Sequence, residues 1–415
     1  MRETERIDTA HAQRVEDRRR AFPLGAVVTL RELNDDPHPL LRRLREREPV
    51  SWVPALDAWL VTRHDLAIAA MRDAQTFTVQ DERFSTGRVI GASMLSLDGE
   101  EHTRHRTPFV ARFRAAEVHR RFADATSDVA GRLVQALADA GPGGELRRGF
   151  AGPLAAEVMT YALGLDEREV GEVLRSYDSI VASVTAISAG EAPTKAGEAA
   201  YAQLNARLQR VIAGRHGGSL LSAAAGDSGL SADQIASNAA VLLFGGIETT
   251  EGMIANALLM LLERPGALAA ARTDRDTLEA AIDESLRLEP AAAVIDRYAT
   301  RDARLGPAAI DASELVRISL AAANRDPAIF DMPDVYDLSR PRRGNLAFAQ
   351  GPHVCVGVHL ARLEARVGIA ALLERFPRLR LAGHTAEDGD GADGGAPRIE
   401  GLVFRKPPVL AVRWD

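Results

Sequence analysis

Phe348-Ala349-Gln350-Gly351-Pro352-His353-Val354-Cys355-Val356-Gly357-Val358-His359-Leu360-Ala361-Arg362 is the stretch on which the reading of this chain turns. It contains the one cysteine among 415 residues. A loop bearing Gly351 and Pro352 delivers Cys355 to the start of a helix predicted to run towards Phe376-Pro377. Backbone N–H groups at a helix N-terminus favour an anion, so they would stabilise a thiolate and hydrogen-bond its sulfur. Gly357 leaves room for a flat group to come close to that sulfur. Taken alone, a single cysteine is most often a small buried hydrophobe. A catalytic cysteine would need a His/Asn partner motif that is not evident here, and zinc would need more ligands than one sulfur supplies at this spacing.

Outward from this stretch, the chain reads as mainly α with small β-sheets. Apolar residues at helical spacing dominate from His119 to Leu262, and strands are expected at Val50-Ser51-Trp52-Val53, Ala58-Trp59-Leu60-Val61-Thr62, Leu315 to Leu320 and the C-terminus. No linker divides the chain, so one large domain over residues 21–415 is expected behind a polar tail, residues 1–20. Gly389 to Gly395 reads as a solvated loop.

The longest helix begins at Ser231, where Ser-Ala-Asp-Gln resembles a capping box, and stops at Pro265-Gly266. It is apolar on most faces and so should be central and buried. Gly245-Gly246 in its middle each cost about 1 kcal/mol relative to alanine. A flat ligand lying against bare backbone there would account for them.

Glu248 and Glu251 argue against a membrane span in this helix, and the N-terminus lacks the apolar run of a signal peptide or anchor. A single cysteine allows no disulfide framework, and a cytoplasmic location is expected. The net charge of −7 argues against nucleic-acid binding.

The stretch around Cys355 resembles the haem-binding signature of the cytochrome P450 superfamily, soluble bacterial type. Phe348, Gly351, His353, Cys355 and Gly357 fill the pattern, and Ala349 stands where the family has its first glycine. Three further motifs agree in order and spacing. Glu284-Ser285-Leu286-Arg287 resembles the family's Glu-x-x-Arg, with Arg340 at the place of the arginine that joins it in a buried structural network. Gly245-Gly246-Ile247-Glu248-Thr249-Thr250 resembles the oxygen-activation motif. His102-Thr103-Arg104-His105-Arg106 resembles the His-x-x-x-Arg beside one haem edge.

The resemblance implies a single-domain fold around a buried haem b, with Cys355 as the thiolate ligand of the iron, which favours O–O cleavage. It implies that Glu248 relays protons from solvent and that Thr249 holds ordered water where dioxygen is activated. Retention of this acid–alcohol pair implies dioxygen plus two electrons rather than peroxide. His102, Arg106, Arg297 and His353 are implied partners of the haem propionates, with Gly245, Phe348 and Gly357 against the macrocycle. Asn345, where many relatives have histidine, is given no haem role.

Substrate would be met by Met94 and Leu95, by Val241 and Phe244 on the long helix, by Ala292, Ala293 and Ile295, and by Leu402. These are apolar, so an apolar small organic molecule is expected. Residues 177–200 would form a lid. The matched domain fills the chain, so the resemblance implies an external electron donor, a ferredoxin or flavodoxin with its NAD(P)H-dependent reductase. Arg104, Arg112, Arg114, Arg342 and Arg343 are candidates for its docking face. A monomer that hydroxylates or epoxidises a secondary metabolite is the expectation. Aryl coupling, desaturation or rearrangement on the same iron, and a haem-thiolate sensor without turnover, are the alternatives.

Overall fold

The structure, a computed structural model, describes residues 13–188, 190–214, 219–227, 229–383 and 397–414. The Gly389–Gly395 loop and the first twelve residues of the expected tail lie outside them. Helices run in the order α1 (residues 13–21), α2 (Leu30–Asp35), α3 (His38–Arg47), α4 (His64–Arg72), α5 (Ser85–Ile90), α6 (Gly99–Val110), α7 (Ala115–Ala140) and α8 (Gly152–Leu163). They continue with α9 (Val170–Ser188), α10 (Lys195–Gly214), α11 (Leu220–Asp227), α12 (Ala232–Leu262), α13 (Pro265–Thr273), α14 (Arg275–Leu288), α15 (Leu320–Ala323) and α16 (Val358–Arg375).

The strands that matter to the site are β1 (Val50–Val53), β2 (Ala58–Val61), β3 (Phe77–Thr78), β4 (Gly143–Glu145) and β5 (Val294–Ala299). After them come β6 (Ala303–Leu305), β7 (Ala308–Ile310), β8 (Leu315–Ser319), β9 (Arg380–Leu381) and β10 (Ala411–Arg413). A five-stranded sheet in the order β1-β2-β8-β5-β3 forms one flank, and β4-β10-β9 form a small second sheet. The predicted hairpin pairs Trp52 with Trp59 and Val50 with Val61.

Part of the segment expected as a polar tail is docked. Arg18 on α1 pairs with Glu314 at 2.5 Å and lies over the Trp52 and Trp59 rings, 4.6 and 5.2 Å from their centroids. A guanidinium on aromatic faces with a carboxylate behind it is a local anchor, so Arg18 is packed against the sheet within the polar tail expected over residues 1–20.

At the centre lies α12, packed by α8, α10, α14 and α16. Its capping box forms as the sequence suggests: Ser231 accepts from the Gln234 N–H while the Gln234 side chain accepts from the Ser231 N–H. At 1.5 Å per residue it spans about 46 Å. Among the described residues, no single helix is long and apolar enough to cross a membrane.

The two glycines of α12 have different reasons. A Cβ on Gly245 would meet nothing within 4 Å, because this residue faces the central cavity. A Cβ on Gly246 would come within 2.7 Å of the Met159 sulfur, so that glycine lets α8 approach. Only the first leaves open space where a side chain would stand. Gly246→Ala is therefore expected to cost about 1–3 kcal/mol through overpacking. Gly245→Ala should leave stability unchanged or raise it by up to about 1 kcal/mol, while shrinking the cavity. Thermal denaturation of the two variants side by side checks this.

Candidate active site

The Cys355 loop is set by two unusual backbone positions. Gly351 has φ +76°, and a Cβ there would lie 2.5 Å from the Met71 carbonyl oxygen near the end of α4. Ala349 has φ +58°, so it carries left-handed backbone where glycine would be unstrained; this costs about 1–2 kcal/mol. The Cys355 N–H donates to the Phe348 carbonyl at 2.9 Å, closing the loop. The Gly357 N–H points at the sulfur from the start of α16. Burial pushes the Cys355 thiol up, against the opposing pull of that N–H and of Arg106.

Cys355 and Gly245 line one cavity of about 310 Å³, together with Phe348, Gly357 and Thr249. Of the expected substrate contacts, Met94, Leu95, Val241, Phe244, Ala292 and Ile295 line it. Ala293 and Leu402 do not, and instead share a separate small recess. Ala292 bridges to Phe404, while the Ala293 backbone bonds Val403 and Leu320 and its side chain is buried against that recess. Val403 and Phe404 supply the wall expected of Leu402, Phe404 standing edge-on to Phe244 at 5.8 Å.

At one rim the structure brings together His102, Arg106, Arg297 and His353. The His102 and His353 rings lie 4.3 Å apart, and His353 Nε2 hydrogen-bonds Asp98 at 2.8 Å. Arg106 donates to the Val354 carbonyl at 2.5 Å, beside the cysteine. Burial, then the nearby His353 and Arg106, bring the His102 ring down to about 4, and burial brings Arg297 down to about 10. His102 Nε2 and His353 Nδ1 are buried with no hydrogen-bond partner. The two desolvated guanidiniums of Arg106 and Arg297, close to Asp98, make a site whose donors anionic oxygens would satisfy. With the bare backbone at Gly245 opposite the sulfur, these residues fit a flat macrocycle carrying carboxylates.

The acid and the alcohol of α12 fall on different sides of it. Thr249 faces the cavity, its hydroxyl donating to the Gly245 carbonyl at 2.5 Å. Glu248 is buried outside the cavity, paired with Lys406 at 2.7 Å and accepting from the Tyr177 hydroxyl. Lys406 also pairs with Glu251 at 2.8 Å. Lys406 did not stand out in the sequence, and Tyr177 was read only as the start of the expected lid, since each is distant in the chain from Glu248.

Glu284, Arg287 and Arg340 converge. Glu284 receives Arg287 at 2.7 and 2.8 Å and Arg340 at 3.2 Å, all nearly or wholly buried. Arg287 also donates to the carbonyls of Asn324, Pro333 and Val335, pinning the irregular stretch that precedes the cysteine loop. Removing one partner from such a network typically costs about 3–5 kcal/mol. Asn345 belongs to this scaffold: it accepts from Asn324 and from the Ala347 N–H.

Glu364 was not singled out from the sequence as a site residue. It lies on α16, fully buried, and faces the cavity with one carboxyl oxygen unpartnered. Burial holds it well above the usual carboxylate range, so it stays a neutral acid. On the face expected to meet an electron donor, Arg104 is tied to Glu101 at 2.7 Å and Arg342 to Glu279 at 3.2 Å. Arg114 and Arg343 are exposed, and Arg112 is partly so.

Comparison with known proteins bears directly on this arrangement. The cytochrome P450 family profile matches residues 203–387. Nocardicin C N-oxygenase of Nocardia uniformis subsp. tsuyamanensis is 33% identical, the alignment covering 95% of this chain and 98% of that protein. The chain belongs to the cytochrome P450 family. 6-Deoxyerythronolide B hydroxylase of Saccharopolyspora erythraea is also 33% identical, over 83% of this chain and 89% of that one. Among solved structures, P450BioI in complex with an acyl carrier protein ligated to hexadec-9Z-enoic acid superposes with a TM-score of 0.80, at 28% identity, covering 91% and 98% of the two chains. This P450 is thus a haem b monooxygenase with a cysteine thiolate as axial ligand, and Cys355 is its one cysteine.

Glu364 gives a test of the buried acid independent of turnover. Its folded-state pKa lies above the unfolded value of about 4.3, so the folded protein holds a proton that the unfolded chain releases. Stability is then lost as pH rises above about 4.3. Glu364→Gln should have little effect below that pH and raise the melting temperature progressively towards pH 8, read by thermal scans across pH.

Proposed function

We propose that this P450 takes dioxygen and two electrons from a ferredoxin, or a flavodoxin, with its NAD(P)H-dependent reductase, and hydroxylates or epoxidises a small, largely apolar secondary metabolite. The observation that carries the reading is that Thr249 faces the same cavity as Cys355, beside the bare backbone of Gly245. When bound, haem b supplies the redox-active iron that activates dioxygen.

The chain's own residues would do the rest. Cys355 ligates the iron, and His102, Arg106, Arg297 and His353 hold the propionates. Thr249 Oγ1 holds a proton-bearing water at the cavity wall, and Glu248 replenishes that proton from solvent. Val241, Phe244, Ile295 and Phe404 exclude bulk water and orient an apolar substrate, while Ser85, Thr86, Ser188 and Asp296 offer it a few polar contacts. Two relatives named as an N-oxygenase and a hydroxylase support oxygen insertion as the outcome. Exposed Arg114 and Arg343 suit an acidic electron donor.

A compound screen for the spin-state shift that follows substrate entry supplies the substrate for the test. Thr249→Ala should then consume NAD(P)H at a comparable rate while product falls at least about tenfold, towards the ~10²-fold that a positioned acid–base group contributes. The missing electrons should appear as hydrogen peroxide. Unchanged product per NAD(P)H would contradict the reading.

A further inference from the structure

The ionisable residues lining the central cavity fall into three groups. Arg106, Arg297 and His353 form the rim that suits a haem's carboxylates. Cys355 and Glu364 belong to the cysteine loop and its helix. Asp296 remains, and neither group accounts for it.

Strands β5 and β8 run antiparallel with Asp296 directly opposite Arg317, so the two side chains leave one face of the sheet. Arg317 grips the carboxylate as a fork: Nε donates to one oxygen at 2.7 Å and Nη2 to the other at 2.9 Å. Nη2 also reaches the carbonyl of Ser188, at the end of α9, at 3.5 Å. Ser188 lines the cavity too, so the pair stands where β5 and α9 meet at its wall. The Arg317 side chain is 2% exposed and that of Asp296 16%.

Stability does not explain this pair. A buried ion pair seldom outperforms apolar side chains of the same size, and Val294, Val184 and Phe404 show that the nearby wall is otherwise apolar. The pair is also incomplete, because Arg317 Nη1 is buried with no hydrogen-bond partner, which is itself a cost. What the arrangement provides is an acceptor. A carboxylate offers about four lone-pair sites, and Arg317 takes one on each oxygen. Among the described residues no other side chain donates to either oxygen. Arg317 fixes the direction of the carboxylate and cancels its charge, so a second cation gains little there. An anion would face the carboxylate oxygens. A neutral donor suits them.

We propose that Asp296 is a specificity-determining residue whose carboxylate accepts a hydrogen bond from a neutral hydroxyl or amide N–H of the substrate, with Arg317 as the positioning residue that holds it at the cavity wall. The preferred substrate is then an apolar molecule bearing such a donor, not a bare hydrocarbon or a carboxylic acid. This rests on the reading of the cavity as an apolar substrate site given under Proposed function.

The test uses the haem-loaded enzyme and three probes with one apolar ring: cyclododecanol, which donates, cyclododecanone, which only accepts, and cyclododecanecarboxylate, which is anionic. Dissociation constants come from equilibrium dialysis. Cyclododecanol should bind roughly tenfold or more tighter than cyclododecanone, the scale of a hydrogen bond to a charged acceptor, and the carboxylate should bind weakest. Asp296→Asn should cancel the preference for the alcohol. Asp296→Val combined with Arg317→Met removes both charges and strands neither; it should keep the melting temperature and bind alcohol and ketone alike. Arg317→Met alone should lower the preference at least about threefold, since the carboxylate loses its fixed direction, and Arg317→Lys should recover part of it. A wild type that binds alcohol and ketone alike, or a double variant that keeps the wild-type preference, overturns the proposal. An unchanged preference in Arg317→Met overturns the positioning role alone. If no ring binds the wild type, the apolar substrate site itself falls, and the proposal with it.

Discussion

A buried sulfur at the foot of α16 faces bare backbone on α12 across an apolar gap, and the placement of much of the chain follows from keeping that gap open. Left to the hydrophobic effect, the space would fill with side chains. Three local restraints oppose this. Gly245 removes the Cβ that would intrude. The Gly351 turn fits against the Met71 carbonyl with no room for a side chain. The Glu284–Arg287–Arg340 network grips the carbonyls of the stretch leading into the cysteine loop. The unpartnered ring nitrogens at the rim, His102 Nε2 and His353 Nδ1, mark where the chain's own hydrogen bonding stops, and the Arg106 and Arg297 guanidiniums beside them are the donors a haem's carboxylates would meet.

The same region shows how charge is sorted by depth. At the rim, the guanidiniums of Arg106 and Arg297 are desolvated, which suits an anionic cofactor edge. Behind α12, Glu248, Glu251, Lys406 and Arg147 cancel, which lets four charges stay buried. On α16, Glu364 has no cationic partner among the described residues, and burial favours its neutral form. Asp98, the Glu248–Glu251 pair and Glu364 thus sit in three different electrostatic settings within one domain, each set by what lies within hydrogen-bond reach.

Much of this was legible in the sequence, because the signals were local. The capping box at Ser231, the paired glycines, the Trp52/Trp59 hairpin and the loop before Cys355 all depend on residues a few positions apart. The convergence of Arg340 on Glu284 was legible only through family resemblance, since no spacing rule reaches across that separation. What stayed hidden depends on tertiary contacts. Gly246 answers to Met159 on another helix, Arg18 to two tryptophans on the sheet, and Glu248 to Lys406 in the C-terminal turn. Ala293 lies in a separate recess from Ala291 and Ala292, a difference that side-chain hydrophobicity cannot report when the three residues are alike. The burial of Glu364 is a property of the packed helices around it, which no local spacing reports.

The account stands most directly on the sulfur of Cys355. The reduced, carbon-monoxide-bound absorption spectrum of the purified protein reads that ligand without need of substrate or electron donor. The red-shifted band of thiolate ligation should be present in the wild type and absent in Cys355→Ala and Cys355→His, with the latter retaining haem through an imidazole. A wild-type protein that binds haem and carbon monoxide without that band, or a Cys355→Ala variant that keeps it, would contradict the account.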